Sequence, residues 1–187
     1  YFKMGLNHVL DFNAYDHILF LIVLAVVFSF NKFKKVVYLV TLFTIGHSIT
    51  LALAAFEILS INMKLVEFLI PVTIFITGTV NIFTAKQATG GKQNINLVLA
   101  LLFGLIHGLG FSNYFKMMIG RGEDKILPLL EFSLGIEAAQ ILIVVGILLI
   151  GAFLQNILKV NKRDWILVCS SIVIGFAIQM MLNRIFW

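Results

Sequence analysis

Long apolar runs broken by short polar stretches set the character of this chain. A membrane-spanning helix needs about 20 predominantly apolar residues. Six segments meet or approach that length: residues 16–31, 36–57, 65–84, 95–115, 127–155 and 164–186. The connectors Asn31–Lys35, Glu57–Lys64, Lys86–Asn94, Lys116–Lys125 and Asn156–Asp164 are short and polar. The apolar runs are continuous rather than alternating, which excludes a closed β-barrel. In residues 1–15, Met4, His8, Asp11 and Tyr15 recur at helical spacing and predict a short interfacial helix. The expected fold is an all-α integral membrane protein: a bundle of about six transmembrane helices with a short N-terminal interfacial segment, residues 1–187 forming a single transmembrane domain.

Composition agrees with that pattern. Of the 187 residues, 60% are hydrophobic and only 12% are charged, about half the charged share of a typical soluble domain. Mean hydropathy is +1.03. The formal charge of +5 is expected to reside in loop lysines facing one side of a membrane, and not to serve nucleic-acid binding. A single cysteine, Cys169, excludes a disulfide framework and a cysteine-based zinc site. Gly-rich phosphate loops and haem-attachment motifs are absent. The first residues carry His and Asp ahead of any apolar core, so they do not read as a cleavable signal peptide.

Orientation follows from loop Lys and Arg. The connectors after the first, third and fifth segments hold Lys32, Lys34, Lys35, Lys86, Lys92, Lys159, Lys162 and Arg163; the opposite face holds Lys3, Lys64, Lys116, Arg121, Lys125 and Arg184. The second set is diluted by Asp11, Glu57, Glu67, Glu123, Asp124 and Glu131, the first by Asp164 alone. Both termini are therefore expected outside the cytoplasm, in a bacterial inner membrane.

The candidate chemistry lies in polar residues embedded in apolar helices. Such groups are costly to bury and usually face a bundle interior where they serve a function. All four histidines, His8, His17, His47 and His107, lie in or just before the apolar segments. Asp16-His17 opens the first span. Successive residues diverge by about 100° on a helix, so one is expected as a ligand and the other behind it or at the entrance. For Asp16 alone, capping of the helix N-terminus is the alternative. In Thr44-Ile-Gly-His47-Ser48-Ile-Thr50 a histidine stands at mid-membrane among hydroxyls, with a hydrogen-bonded packing seam as the alternative to a ligand. In Phe103-Gly-Leu-Ile-His107-Gly-Leu-Gly-Phe111 the ring is flanked by Gly104 and Gly108, a spacing that lets another helix or an ion approach closely. Glu137 is the sole acid deep within a span and shares a helix face with Gln140. It reads as a ligand, as a general base, or as a neutral hydrogen-bonded side chain.

The expected centre is thus a divalent transition-metal site (Ni, Co or Zn) formed by His17, His47, His107, Asp16 and Glu137. His8, Asp11, Ser48, Thr44 and Gln140 stand behind it or at its entrance. Imidazoles with a carboxylate suit such ions, whereas Mg or Ca would require mostly oxygen. On the expected topology Glu137 lies at about the depth of His47 and His107. The other face of the membrane is reached only past Thr41, Asn94, Asn96 and Gln155.

Gly5-x-x-His8, Tyr15-Asp16-His17-Ile-Leu-Phe20-Leu, Phe43-Thr-x-x-His47-Ser48-Ile-Thr-Leu51, Phe103-Gly-Leu-Ile-His107-Gly-Leu-Gly-Phe111 and Gly135-Ile-Glu137-x-x-Gln140 together resemble the HupE/UreJ family of small membrane proteins, over residues 5–140. The resemblance implies a role in hydrogenase or urease maturation through nickel or cobalt uptake, with metalloenzyme-maturation proteins as partners. It also implies that Asp16, His17, His47 and His107 belong to the metal site. Nickel–cobalt permeases of a related type carry His-x4-Asp-His in one helix; here His8 and Asp16-His17 are separated by the seven residues Val9 to Tyr15. Three functions fit the residues: metal transport or delivery, an intramembrane metal-dependent hydrolase opening to the periplasmic side, and a non-catalytic subunit of a membrane complex held by a structural metal.

Overall fold

The structure, a computed structural model, describes residues 1–11, 15–59, 61–87, 93–119 and 125–186. Lys92, Arg121, Glu123 and Asp124, used above for orientation, lie outside the described residues, as do the side chains of Asn94 and Asn96. Seven α-helices are described: α1 (Phe2–Leu10), α2 (Asp16–Ala25), α3 (Phe33–Ala55), α4 (Met63–Thr84), α5 (Gln93–Met118), α6 (Ile126–Asn156) and α7 (Lys162–Asn183). Single 3-10 turns at Phe30–Lys32 and Ala85–Gln87 lead into α3 and out of α4.

The five helices α3 to α7 are long and apolar enough to cross a membrane. Each has 22 to 31 residues and so matches or exceeds a hydrocarbon layer of about 30 Å at about 1.5 Å per residue. Large apolar side chains such as Tyr38, Phe83, Leu142 and Val168 point outward, as a lipid solvent allows. The chain is an integral membrane protein, and these boundaries fall within a few residues of those read from hydropathy.

The N-terminal third departs from that reading. The first expected span, 16–31, is the ten-residue α2, about 15 Å of helix and half a bilayer. Its early end leaves backbone carbonyls without intrahelical donors. That of Val23 accepts Nδ2 of Asn81 from α4 at 2.6 Å, so the group is satisfied inside the bundle, as an apolar surrounding demands. The same amide reaches Ser170 Oγ on α7 at 3.4 Å.

Helix α1 is docked, not merely interfacial. It buries Gly5 and Val9 against α6 and leaves Phe2, Lys3 and Asn7 exposed. The contact is backbone to backbone. A methyl group on Gly5 would overlap the Phe132 carbonyl oxygen, and one on Gly135 the carbonyl oxygen of Phe2. This reciprocal glycine pair draws α1 into the bundle, and His8, one turn beyond Gly5, comes with it.

Helices α3 and α5 cross with equal intimacy. A side chain at Gly104 would overlap Phe43 O, and one at Gly108 would overlap His47 O. The small residues at this seam let the two backbones touch. Helix α4 contains Pro71, which has no N–H for the carbonyl of Glu67. Arg184, at the C-terminal cap of α7, donates to that carbonyl from Nη1 at 3.1 Å. Helix α1 packs along α6, and Tyr1 lies beside Glu131 near the start of α6. Residues Tyr1 and Arg184 therefore sit where α6 and α4 begin, on one side of the bundle.

Candidate metal centre

Four helices bring their histidines to one place: His8 from α1, His17 from α2, His47 from α3 and His107 from α5. Ring centroids are 4.6 Å apart for His8 and His17, 5.3 Å for His17 and His107, 6.1 Å for His8 and His47, and 6.2 Å for His17 and His47. One nitrogen of each of His8, His17 and His47 lies within 4.8 Å of the other two. Tetrahedral ligation at a metal–nitrogen distance near 2.1 Å sets nitrogens about 3.4 Å apart. A contraction of about 1.4 Å or less closes this trio on an ion. His8, expected at the entrance, stands inside the trio; His107, expected within it, lies edge-on to His17 just beyond.

Hydrogen bonds aim two of the rings. Nδ1–H of His17 donates to Asp16 Oδ1 at 3.1 Å, and the same oxygen accepts the His17 backbone N–H at 2.9 Å. The carboxylate curls back behind its neighbour and leaves the Nε2 lone pair of His17 pointing away from it, the arrangement by which carboxylates orient metal-binding histidines. Oδ2 of Asp16 lies 3.8 Å from Nη1 of Arg184, so a guanidinium balances its charge. At His107, Nδ1 faces the Phe103 carbonyl at 2.9 Å. A carbonyl only accepts, so Nδ1 carries the proton and Nε2 the lone pair.

The surroundings are phenylalanine. Phe111 lies 4.0 Å from the ring of His8, Phe43 5.2 Å from that of His107, and Phe20 5.6 Å from that of His107. Phe111 and Phe132 stack at 4.9 Å. Within this box, Nε2 of His8, Nε2 of His17, both nitrogens of His47 and Nε2 of His107 are buried with no hydrogen-bond partner among the described residues. An unsatisfied buried polar atom costs about 1–3 kcal/mol, so several at one spot call for a partner, and His8, His17 and His47 could hold a metal ion. Burial, and then the adjacent His17 ring, hold the His8 imidazole well below the usual histidine range. It is therefore neutral near pH 7, the form that offers a lone pair.

The remaining sequence candidates stand elsewhere. Asp11 is exposed at the C-terminal cap of α1. Thr44, Ser48, Gln140 and Glu137 line a polar seam between α3 and α6. Thr41 Oγ1 donates to Glu137 Oε1 at 2.6 Å, and Thr44 Oγ1 lies 2.9 Å from Gln140 Oε1. Ser48 and Ser133 hydroxyls are 2.7 Å apart. Glu137 is not one of the trio. It was expected at the depth of His47, but its partner Thr41 precedes His47 by six residues of α3, about 9 Å along the axis. Register between antiparallel helices decides this, and hydropathy does not reveal it. Arg184 and Thr41 are the contributors that sequence reasoning missed. Arg184 read as one of several face charges, and its place between the Glu67 carbonyl and Asp16 gives it a role.

Fold and centre together define an integral membrane protein whose interior gathers imidazoles able to hold a metal ion. The sequence profile of the HupE / UreJ protein family matches residues 1–184, and the chain belongs to that family, which is linked to nickel and cobalt uptake. No curated protein and no solved structure matches the chain.

Proposed function

We propose that this protein carries a divalent transition-metal ion of the nickel or cobalt type across the membrane. The ion binds transiently at His8, His17 and His47; His107 exchanges into the coordination shell from beside His17, and Asp16 orients His17. The observation that carries the reading is the convergence, from four helices in a phenylalanine-lined interior, of ring nitrogens with no partner among the described residues. Neutral imidazoles with one nearby carboxylate favour borderline ions such as Ni, Co or Zn over Mg or Ca.

The same chemistry in a hydrolase would call for a base or nucleophile at the ion. Ser48, the hydroxyl next to His47 in sequence, is engaged by Ser133 and by the Thr44 carbonyl, and Glu137 lies beside Thr41, six residues along α3 from His47. Asp16 is committed to His17 and Arg184. These commitments favour transport.

Purified full-length protein should bind about one Ni(II) or Co(II), and proteoliposomes should accumulate the ion. Replacing His47 with Ala should abolish both. Retained uptake with His47 removed would overturn the proposal, as would a wild type that hydrolyses lipid substrates and moves no metal.

A further inference from the structure

Below the histidines, toward the lysine-bearing start of α3, the bundle contains a second set of polar groups, and this one includes a carboxylate. Glu137 lies eleven residues into α6, about 17 Å from its beginning, and the structure leaves it half-buried. An intramembrane carboxylate is expensive to keep in lipid and marks ion pathways. Its neighbour on the same face, Gln140, is completely buried (0% exposed), and its Nε2 has no partner among the described residues. The hydroxyl of Thr44 has one proton and two acceptors in reach, Val40 O at 3.1 Å and Gln140 Oε1 at 2.9 Å. When that proton goes to Val40, the Gln140 amide is left with both ends free to turn. Along α3, Thr44 lies three residues from His47 and Thr41 six. The groups thus descend from the imidazoles in steps of about one helical turn.

We propose that Glu137, with Thr41 and Gln140, forms a second cation station. A divalent ion released by the histidines is received there by one carboxylate and two neutral oxygens, Thr41 Oγ1 and Gln140 Oε1, before it leaves on the lysine-bearing side. No covalent bond changes; the ion exchanges nitrogen ligands for oxygen ligands, which hold nickel or cobalt less tightly and so favour release. This deepens the transport reading and rests on it. It also supplies the polar continuation that Thr41, Asn94, Asn96 and Gln155 alone do not.

The test uses the full chain in proteoliposomes with Co(II) as probe and an entrapped metal-sensitive dye. Wild type and His47→Ala come first; if wild type moves no Co(II), the transport reading fails and the station falls with it. Given wild-type uptake, Glu137→Gln should keep Co(II) affinity at the histidines within about twofold while initial uptake drops at least about tenfold. Glu137→Asp should recover part of the rate, and the near-isosteric Thr41→Val, which keeps the carboxylate, should slow uptake about threefold. Dicyclohexylcarbodiimide, which modifies intramembrane carboxyl groups, gives a reading independent of rate. It should label Glu137 in wild type, and Co(II) should slow that labelling. Wild-type uptake by Glu137→Gln, labelling at Glu137 indifferent to Co(II), or parallel loss of binding and uptake would each overturn the station while leaving the histidine centre intact.

Discussion

Two polar regions share one apolar bundle and are treated in opposite ways. Along the α3–α6 seam, hydroxyls find partners across the interface or on their own helix: Thr41 with Glu137, Ser48 with Ser133, Ser133 with the Leu129 carbonyl. In the histidine centre, a helix turn away, five ring nitrogens are buried with no partner among the described residues. The difference is that a seam satisfied by protein groups can hold helices together unaided, whereas unsatisfied donors and acceptors persist only where something else completes them. Gln140 stands at the border, with its oxygen in the seam and its nitrogen without a partner among the described residues.

The largest effect that would sharpen this contrast is expected from His47→Ala. It removes a ring both of whose nitrogens lack a partner among the described residues, and should reduce Co(II) or Ni(II) content of purified protein to background, with little loss of thermal stability. A substantial loss of folded protein instead would mark His47 as a packing residue. Next come His8→Ala and His107→Ala, compared as a pair. His8 belongs to the trio of nitrogens and His107 does not, so metal affinity should fall more for His8, by about tenfold or greater. The reverse order in a titration of both variants would return His8 to the role of an entrance residue.

Helix prediction from hydropathy placed the five long spans within a few residues, because continuous apolar runs of that length have few alternatives in lipid. What was not legible depended on contacts between distant segments. Nothing in residues 25–31 announces that α2 stops at Ala25; Asn81, far along the chain, makes the early end tolerable. His8 seemed peripheral because α1 is short and mixed, and only the Gly5–Gly135 contact reveals that it docks. The histidine motifs were visible as costly groups in apolar helices, but which imidazoles share a centre is a matter of helix register. Arg184 escaped notice because its role depends on the carbonyl that Pro71 deprives of a donor and on the position of Asp16.

Smaller effects test the supports of the centre. Gly108→Ala would push a methyl group into the His47 carbonyl, and overpacking of this kind typically costs about 1–3 kcal/mol. Thermal unfolding in detergent should fall, and metal affinity with it, since the backbone of His47 must shift; unchanged values for both would show that the α3–α5 crossing is looser than described. Asp16→Asn should weaken metal binding by about 10–100-fold without unfolding the protein, because the amide no longer enforces the Nδ1–H tautomer of His17. The smallest effect should come from Ser133→Ala in the satisfied seam. About 0.6 kcal/mol of stability is the scale of such interhelical bonds in membranes, and metal content should be unaffected. A loss of metal in that variant would erase the distinction between the two regions.

The central claim, that imidazoles from separate helices ligate one ion, is most directly tested by X-ray absorption spectroscopy of the Ni(II)- or Co(II)-loaded protein. The account predicts about three or more nitrogen neighbours near 2.1 Å with the outer-shell scattering of imidazole rings, and loss of that signature when His8, His17 and His47 are replaced together with Ala. A shell of oxygen alone, or a spectrum unchanged by the triple replacement, would contradict it.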